Sequence, residues 1–266
     1  MKNDIVIPAF IINLDRDVAR WQTMSDALGS FGIPYQRVRA IDARKRISLI
    51  RRVVRRDFVY APARRDLTDA EVGCYLSHLA ALKRMIRQRL PVAMIFEDDV
   101  VFDSDFSNFY HRDLTKFLTA TDIVKFEGIH YPHTSRSGIE IATGTTGRLL
   151  LRMRPTLGAA AYAVTRKGAL ALLKAASVPD RPFDHKLAYY DRHWVDYAET
   201  EPFLARQASY ASNLEDERKI HDLSGLRLRL SQLRTSVSAP KRAAARFIYL
   251  AKLVIKQRLR RSRSCP

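Results

Sequence analysis

Three acidic residues in a row directly follow an apolar stretch. Glu97, Asp98 and Asp99 come after residues 92–96, and apolar residues resume at Val100. Adjacent carboxylates repel one another, and a buried strand end gains nothing from charge unless a partner neutralises it. Mg²⁺ and Mn²⁺ prefer oxygen ligands and often share their coordination with substrate phosphates. The run therefore predicts a divalent-cation site in an enzyme acting on a phosphorylated donor, with a plain turn or helix cap as the structural alternative.

The alternation of side chains along a strand is expected to separate these acids. Glu97 and Asp99 should point to one side and Asp98 to the other. In open α/β sheets, ligands bind beyond the carboxyl ends of the strands, which is where this run is predicted to lie.

Hydrophobic periodicity predicts the elements that position the acids. Residues 5–41 have the pattern strand–helix–strand, which favours parallel pairing. A helix is expected to begin after Thr68, with Glu71 at capping-box spacing, and to run to about residue 88. The remaining expectations are strands at 92–96, 122–126 and 158–165, helices at 166–176 and 187–197, and a loop at 130–146. The predicted fold class is α/β, with a mixed, mostly parallel sheet flanked by helices.

The composition suits one large domain with an appendage. The chain has 266 residues, of which 47% are hydrophobic, enough for a sizeable core. No run of about 18 apolar residues occurs, so no transmembrane helix is expected, and no secretory signal is visible. Cys74 and Cys265 are far apart and form no disulfide or metal pattern. Cys74 is predicted to be a buried free thiol, which fits a reducing compartment.

The positive charge is concentrated in two segments. The formal net charge is +18, and residues 223–266 hold twelve Lys and Arg residues without any Asp or Glu. Residues 44–65 hold nine more basic residues against Asp57. Such clusters indicate nucleic acid or an anionic membrane surface as a partner. Residues 243–259 are expected to form a basic amphipathic helix on a membrane, with a solvated tail as the alternative.

Several segments together resemble glycosyltransferase family 25, the lipooligosaccharide galactosyltransferase family. They occur in the family's order over roughly residues 5–215: Ile-Ile-Asn-Leu-Asp-Arg at 11–16, Glu-Val-Gly-Cys-Tyr-Leu-Ser-His at 71–78, Phe-Glu-Asp-Asp-Val at 96–100, the pair 158–162 and 166–173, and Phe-Asp-His at 183–185. The resemblance implies a GT-A-like domain over residues 1–220. The basic residues and apolar spacing beyond it predict a basic helical C-terminal tail over 221–266, which lies outside the resemblance.

The resemblance also implies the reaction and its ligands. It implies an inverting transfer of a hexose, usually galactose, from a UDP-sugar with Mn²⁺ or Mg²⁺ as cofactor. Asp99 is the first choice for a direct metal ligand, with Glu97 supporting the metal site. Asp98 is expected to hold hydroxyls of the donor's ribose or sugar. His185 either completes the metal shell or is an exposed loop residue.

Four further polar residues are expected near the donor. Asn13, Asp15 and Arg16 follow the first strand and are predicted to contact uridine or its ribose. Arg16 has the alternative of an ordinary surface charge at a helix start. His78 is predicted to hydrogen-bond the acidic run and orient it, with a satisfied core histidine as the alternative.

An inverting transfer needs one general base near the acceptor hydroxyl. Asp184, in the family-like segment, and Glu127, after a predicted strand, are the candidates. Asp184 is slightly preferred, and the choice between them stays open.

The leading interpretation is therefore a metal-dependent glycosyltransferase that acts on a saccharide of a cell-envelope glycolipid, in lipopolysaccharide or lipooligosaccharide biosynthesis. It is expected to be cytoplasmic, held at the inner face of the cytoplasmic membrane by its tail. The alternative is a basic nucleic-acid-binding protein or a metal-dependent nuclease. That alternative is disfavoured, because zinc-finger spacing and RNP-like aromatic motifs are missing and the matched segments would be unexplained.

Overall fold

The computed structural model describes residues 6–45, 67–129, 138–152, 154–188 and 195–208, together with Ala251. The basic segment predicted over 44–65 lies outside the described residues beyond Lys45. The expected domain boundary at residue 220 also lies outside them, as does the predicted tail helix apart from Ala251, which is helical.

An eight-stranded mixed sheet and a separate two-stranded ladder form the centre of the described chain. The strands are β1 Ala9–Asn13, β2 Tyr35–Arg39, β3 Val92–Glu97, β4 Val100–Phe102, β5 Ile123–Lys125, β6 Ile139–Thr143, β7 Arg148–Leu151, β8 Ala161–Thr165, β9 Tyr197–Glu201 and β10 Ala205–Gln207. The large sheet has the order β2-β1-β3-β8-β5-β9-β7-β6, and β10 pairs with β4.

The strand directions refine the predicted sheet. The pairings of β1 with β2, β1 with β3 and β5 with β9 are parallel. The pairings that involve β8 or β7 are antiparallel. The predicted mixed sheet is confirmed. Most of its strands run in one direction, as predicted. Because β8 and β7 run in the opposite direction between such strands, most pairs of adjacent strands are nevertheless antiparallel.

Helices flank the sheet. They are α1 Val18–Ser30, α2 Asp69–Arg87, α3 Phe106–Arg112, α4 Leu114–Ala120, α5 Arg166–Ala175 and α6 Phe183–Ala188, with a 3-10 turn at Ala43–Lys45. The predicted β–α–β opening is confirmed as β1–α1–β2. Helix α2 packs against α5, α6 and the first three strands of the sheet.

Local sequence explains where α2 begins and which face it buries. The Thr68 side chain accepts the Glu71 backbone N–H, and the Glu71 carboxylate accepts the Thr68 backbone N–H, which is the predicted capping box. Val72, Tyr75 and Leu82 are fully buried at helical spacing. The same packing places Cys74 and His78 toward the end of β3.

A hairpin occupies part of the predicted loop at 130–146, so that prediction is wrong for residues 139–143. Strands β6 and β7 pair there, with a register shift between Glu140 and Ala142. Asp113 accepts hydrogen bonds from the backbone N–H groups of Thr145 (2.8 Å) and Thr146 (2.7 Å) and so holds the turn. Loop-like composition hid the hairpin. The Gly144 N–H closes its turn on the Gly147 carbonyl at 2.7 Å, and Asp113, at the N-terminus of α4, holds the turn from outside.

The helix predicted over 187–197 is also wrong in part. Helix α6 begins earlier, at Phe183, and ends at Ala188, while Tyr197 begins the buried strand β9. Aromatic residues suit a half-buried strand as well as a helix, so their composition alone did not separate the two. Within the described chain, none of the helices combines the length and apolar character needed to cross a membrane.

A buried ion pair joins Arg152, the residue after β7, to Glu199 on β9, and losing one of the two partners should be costly. The Arg152 and Glu199 side chains are 1% and 0% exposed, with Nε and Oε2 separated by 2.9 Å. Arg152→Met leaves the Glu199 carboxylate buried without its cation. The free energy of unfolding should fall by about 3–5 kcal/mol, measured by urea denaturation.

Arg148→Met is the matched control, because Arg148 pairs with Glu201 at the surface. Its loss should be about 1 kcal/mol or less. If both variants lost the same free energy of unfolding, the idea that the buried Glu199 charge is what makes Arg152→Met costly would be contradicted.

Candidate active site

The acid triplet Glu97–Asp99 lies in the connection between β3 and β4. Strand β3 ends at Glu97, whose backbone N–H donates to the Ala160 carbonyl at 2.9 Å. Asp98 and Asp99 form the turn, and the Asp99 carbonyl accepts the Ala208 N–H at 2.8 Å. The turn is therefore held from β8 on one side and from the end of β10 on the other.

Glu97 is held by three side chains. His78 Nε2 lies 3.1 Å and Cys74 Sγ 3.5 Å from Glu97 Oε1, while Gln207 Nε2 donates to Oε2 at 3.3 Å. Burial acts to raise the pKa of Glu97, but the hydrogen bonds from His78, Cys74 and Gln207 outweigh it and lower that pKa. Glu97 is therefore an ionised acceptor at neutral pH. The predicted hydrogen bond between His78 and the acids is present, whereas a direct donor contact of His78 stays a prediction.

Asp98 points away from Glu97, as the alternation of side chains predicted. Its Oδ2 accepts from Asn13 Nδ2 at 2.6 Å, and its Oδ1 lies 3.5 Å from Arg20 NH1. Burial raises the pKa of Asp98, while Asn13 and Arg20 act against the rise. Asp98 is thus fixed toward β1 and α1.

Asp99 is the member of the triplet that the protein leaves least satisfied. Its Oδ1 is buried and makes no hydrogen bond within the part of the chain that the structure describes. Burial, with the charges of Glu97 and Asp98, raises the pKa of Asp99 to about 7, although the charge of Arg20 and a hydrogen bond from Gln207 act against the rise. An unsatisfied buried carboxylate oxygen beside two other acids matches the oxygen donors that Mg²⁺ and Mn²⁺ take. The residues present therefore fit a divalent cation at Asp99.

Asn13 helps to hold the acid triplet in place through its hydrogen bond to Asp98. It is 1% exposed, and its Nδ2 also contacts the Asp17 carbonyl at 2.9 Å. Its Oδ1 accepts from Arg37 Nε at 2.8 Å. The structure shows Asn13 positioning Asp98, and its contact with a nucleoside stays a prediction.

Asp15 and Arg16 lie at the rim of the same edge. Asp15 pairs with Arg37 at 3.3 Å and with Arg39, which together lower the pKa of Asp15. Arg16 NH1 lies 2.5 Å from Asp42 Oδ2. Their predicted contacts with uridine or ribose stay predictions.

The two base candidates meet at the chain entering β8. The Gly158 N–H donates to Asp184 Oδ2 at 3.2 Å, and the Ala160 N–H donates to Glu127 Oε2 at 3.2 Å. Gly158 has φ +97°, and a Cβ there would lie 2.4 Å from Glu127 Oε1. Glycine is therefore required for this close approach.

Burial distinguishes the two candidates. Glu127 is 1% exposed, whereas Asp184 is half-buried. Burial, with repulsion from Glu97 and Asp184 and against the attraction of Lys125, raises the pKa of Glu127 to about 7. Asp184 is therefore the more exposed of the two carboxylates.

Helix α6 brings Asp184 toward the triplet. The Phe183 ring stacks on His78, with centroids 4.4 Å apart and an angle of 3° between planes. The His185 backbone N–H donates to Asp184 Oδ1 at 2.8 Å, which fixes the carboxylate at the start of the helix. The role of the His185 side chain as a metal ligand stays a prediction.

Sequence reasoning missed two contributors to the site. Gln207 lies on β10, in a segment that carries no sequence motif. The pairing of β10 with β4 brings its side chain to Glu97. Lys125 is fully buried, and its Nζ donates to the carbonyls of Thr156 (3.1 Å) and Leu157 (2.7 Å). A lone lysine inside a short apolar strand was the available signal for it, since buried lysines need partners.

A sequence model described as "Glycosyltransferase family 25 (LPS biosynthesis protein)" matches residues 6–187. This match spans well over half of the chain and includes the acid triplet, the α2 segment and Asp184.

Curated relatives agree with the family match. A Drosophila melanogaster protein named "Glycosyltransferase 25 family member" is 26% identical over 239 residues, 79% of this chain and 38% of the relative. The "Lacto-N-neotetraose biosynthesis glycosyltransferase LgtB" of Neisseria meningitidis serogroup B is 26% identical over 219 residues, 78% of each chain. The mouse "Inactive glycosyltransferase 25 family member 3" is 34% identical over 103 residues, 36% of this chain and 17% of the relative. The chain therefore spans less than half the length of these animal relatives.

The buried carboxyl of Glu127 should make stability depend on pH. A pKa raised from 4.5 to about 7 in the folded state means that this group stabilises the fold below pH 4.5. That contribution is lost as pH rises through about 7, since ionisation is then easier in the unfolded chain. The wild type should therefore lose stability from pH 5 to pH 8, and Glu127→Gln should lose less. The difference in free energy of unfolding between the two proteins should shift in favour of the variant by at most about 3 kcal/mol over this range.

Urea denaturation of both proteins at the two pH values checks this. Glu140→Gln, at an exposed position of β6, is the control and should follow the wild type. If the free energy of unfolding of Glu127→Gln changed with pH in the same way as that of the wild type, the proposed raised pKa of Glu127 would be contradicted.

Proposed function

The chain belongs to glycosyltransferase family 25, and on this premise we propose that it transfers a hexose, galactose as first choice, from a UDP-sugar to a saccharide of a cell-envelope glycolipid, with inversion at the anomeric carbon. The observation that carries the proposal is the buried Asp99 Oδ1, at the end of a central strand, which has no hydrogen-bond partner among the described residues. A divalent cation bound together with the donor diphosphate would coordinate that oxygen and offset the negative charge around it. A GT-A-like arrangement of the domain is part of the same proposal.

Asp99 holds the divalent cation, with Glu97 beside it. When bound, Mn²⁺ or Mg²⁺ neutralises the negative charge that develops on the leaving diphosphate. Glu97 enters this role already ionised and oriented by His78, Cys74 and Gln207. The protein thus supplies a preorganised oxygen-rich site and does not have to reorganise during transfer.

Asp98 and its neighbours bind the donor on the other side of the turn. Asn13 and Arg20 orient the Asp98 carboxylate, which then accepts hydrogen bonds from hydroxyls of the ribose or sugar. Asp15 and Arg16, at the outer rim, are assigned to the nucleoside. Arg37 lies 5.7 Å from the Trp21 ring centroid and also contacts Asn13, which stiffens this rim.

Asp184 acts as the general base. The N–H groups of Gly158 and His185 fix its two carboxylate oxygens from one side, and its partial exposure leaves it open to an acceptor hydroxyl. It takes the hydroxyl proton while the nucleotide leaves from the opposite face of the sugar. Glu127 lies behind Gly158, and its burial suits a role in setting the position and charge of the site.

The family match and the charge pattern support our proposal for the acceptor and the location. The Neisseria relative is named for lacto-N-neotetraose biosynthesis, which supports an oligosaccharide or glycolipid acceptor. The basic residues of 223–266 would hold the enzyme at the anionic inner face of the cytoplasmic membrane, where such an acceptor is made accessible. A nucleic-acid partner is not proposed, because it would leave the family match without a reason.

Asp99→Asn tests the cation site directly. In the wild type, UDP with Mn²⁺ should raise the melting temperature more than UDP alone, since a ligand that binds the folded state stabilises it. The variant should lose the Mn²⁺-dependent part of that rise. Asp26→Asn, at an exposed position of α1, should keep it. A full Mn²⁺-dependent rise in Asp99→Asn would refute metal ligation by Asp99.

Asp184→Asn and Glu127→Gln distinguish the base. Asp184→Asn should lower kcat by about 10²-fold or more with UDP binding unchanged, and Glu127→Gln should lower it clearly less. UDP release with candidate sugars and acceptors measures both. The reverse order would move the base to Glu127. A wild type that binds UDP and Mn²⁺ but releases no UDP with any acceptor would place the chain with the relatives named inactive.

A further inference from the structure

We propose that Cys74, His78 and Glu97 form a second cation site, for a thiophilic divalent ion of the Zn²⁺ class, next to the oxygen-rich site at Asp99. One ligand atom from each residue, the Cys74 Sγ, a His78 ring nitrogen and a Glu97 carboxylate oxygen, lies within 4.8 Å of the others. This inference does not depend on the proposed transfer reaction, since it concerns binding of a metal alone.

Two elements bring the three ligands together. Cys74 and His78 are four residues apart on α2, so they lie on one face of the helix, one turn apart. Glu97 ends β3 and faces them, with Oε1 as the oxygen that both side chains approach. The capping box at Thr68 and Glu71 fixes the start of this helix. The geometry is therefore set by regular structure and not by a loop.

The histidine is prepared for a ligand at Nε2. Its other ring nitrogen, Nδ1, lies 3.3 Å from the Tyr162 hydroxyl, and its ring is stacked on Phe183. Histidines that bind metals usually have their second nitrogen hydrogen-bonded in this way, which fixes the ring and its tautomer. Without an ion, Nε2 faces Glu97 Oε1 at 3.1 Å and donates to it. An ion that binds Nε2 takes the place of this hydrogen bond, and Nδ1–H then donates to Tyr162.

The donor set differs from the one around Asp99. One thiolate sulfur, one imidazole nitrogen and one carboxylate oxygen are typical ligands of Zn²⁺, while Mg²⁺ and Mn²⁺ take oxygens. Three protein ligands leave a fourth, open position for water. The Glu97 side chain is 23% exposed and Cys74 is partly exposed, so an ion and its water can enter. On binding, the sulfur–metal bond forms and the thiol proton leaves to solvent.

A hydrogen-bond network is the alternative explanation for the close approach of these three side chains. The Cys74 thiol and His78 both hydrogen-bond to Glu97, and such a network needs no ion. The sulfur is what favours a metal, because an S–H group is a weak hydrogen-bond donor, whereas a cysteine thiolate is a typical ligand of Zn²⁺. Because Glu97 is also next to Asp99, an ion bound by Cys74, His78 and Glu97 would change the electrostatic field at Asp99.

Co²⁺ binding to the full-length chain tests the proposal. Co²⁺ takes tetrahedral Zn²⁺ sites and gives a near-ultraviolet sulfur-to-cobalt absorption band when a thiolate binds it. The wild type should show this band at one equivalent per chain, and Zn²⁺ should abolish it by displacement. Cys74→Ser should remove the band and weaken Zn²⁺ binding, measured by calorimetry, at least roughly tenfold.

Cys265→Ser is the matched control and should keep the band, because it removes the other thiol of the chain. Tyr162→Phe should keep the band but weaken Zn²⁺ roughly tenfold, as expected for a group that only orients His78. Near-ultraviolet circular dichroism confirms that each variant is folded. A folded wild type without the band, or a band that depends on Cys265 instead of Cys74, would overturn the proposal.

Discussion

The repulsion among carboxylates at the end of β3 is the constraint on which the rest of the site depends. Glu97, Asp98 and Asp99 are adjacent in the chain and largely withdrawn from water, and Asp184 and Glu127 add to their field. The protein resolves the repulsion in a different way for each of the three. Glu97 is neutralised in part by hydrogen-bond donors and Asp98 by Asn13 and Arg20, whereas Asp99 Oδ1 has no hydrogen-bond partner among the residues that the structure describes. This difference is the basis of our proposal that a divalent cation binds at Asp99.

The surrounding fold can be understood as a set of supports for that arrangement. Strands β1 and β8 flank β3 and supply Asn13 and the carbonyl that accepts the Glu97 N–H. The β4–β10 ladder returns the chain beside the turn and contributes Gln207. Helix α6 is docked through the stacking of Phe183 on His78. Catalytic candidates from distant parts of the sequence are thereby held on rigid elements, as efficient electrostatic stabilisation requires.

Sequence reasoning recovered the parts of this site whose signal is local. The capping box, the α2 helix, the strand into the triplet and the separation of Asp98 from Glu97 follow from short-range patterns, and the structure has them. The contact between His78 and Glu97 was also predictable, because both belonged to segments of one family pattern. Gln207 was not, since its place depends on an antiparallel pairing between β4 and β10 across about one hundred residues. The β6–β7 hairpin and strand β9 were missed for a similar reason, because contacts with Asp113 and with neighbouring strands, distant in sequence, contribute to their stability.

The central claim is that Asp99 and the adjacent acids hold a divalent cation together with the diphosphate of the donor. A crystal structure of the protein with UDP and Mn²⁺, with anomalous diffraction recorded at the manganese edge, measures this most directly. The account predicts an anomalous peak within ligand distance of an Asp99 carboxylate oxygen, with both phosphates of UDP beside it and the ribose toward Asp98. UDP bound elsewhere, or bound at this edge with no manganese peak at Asp99, would contradict it.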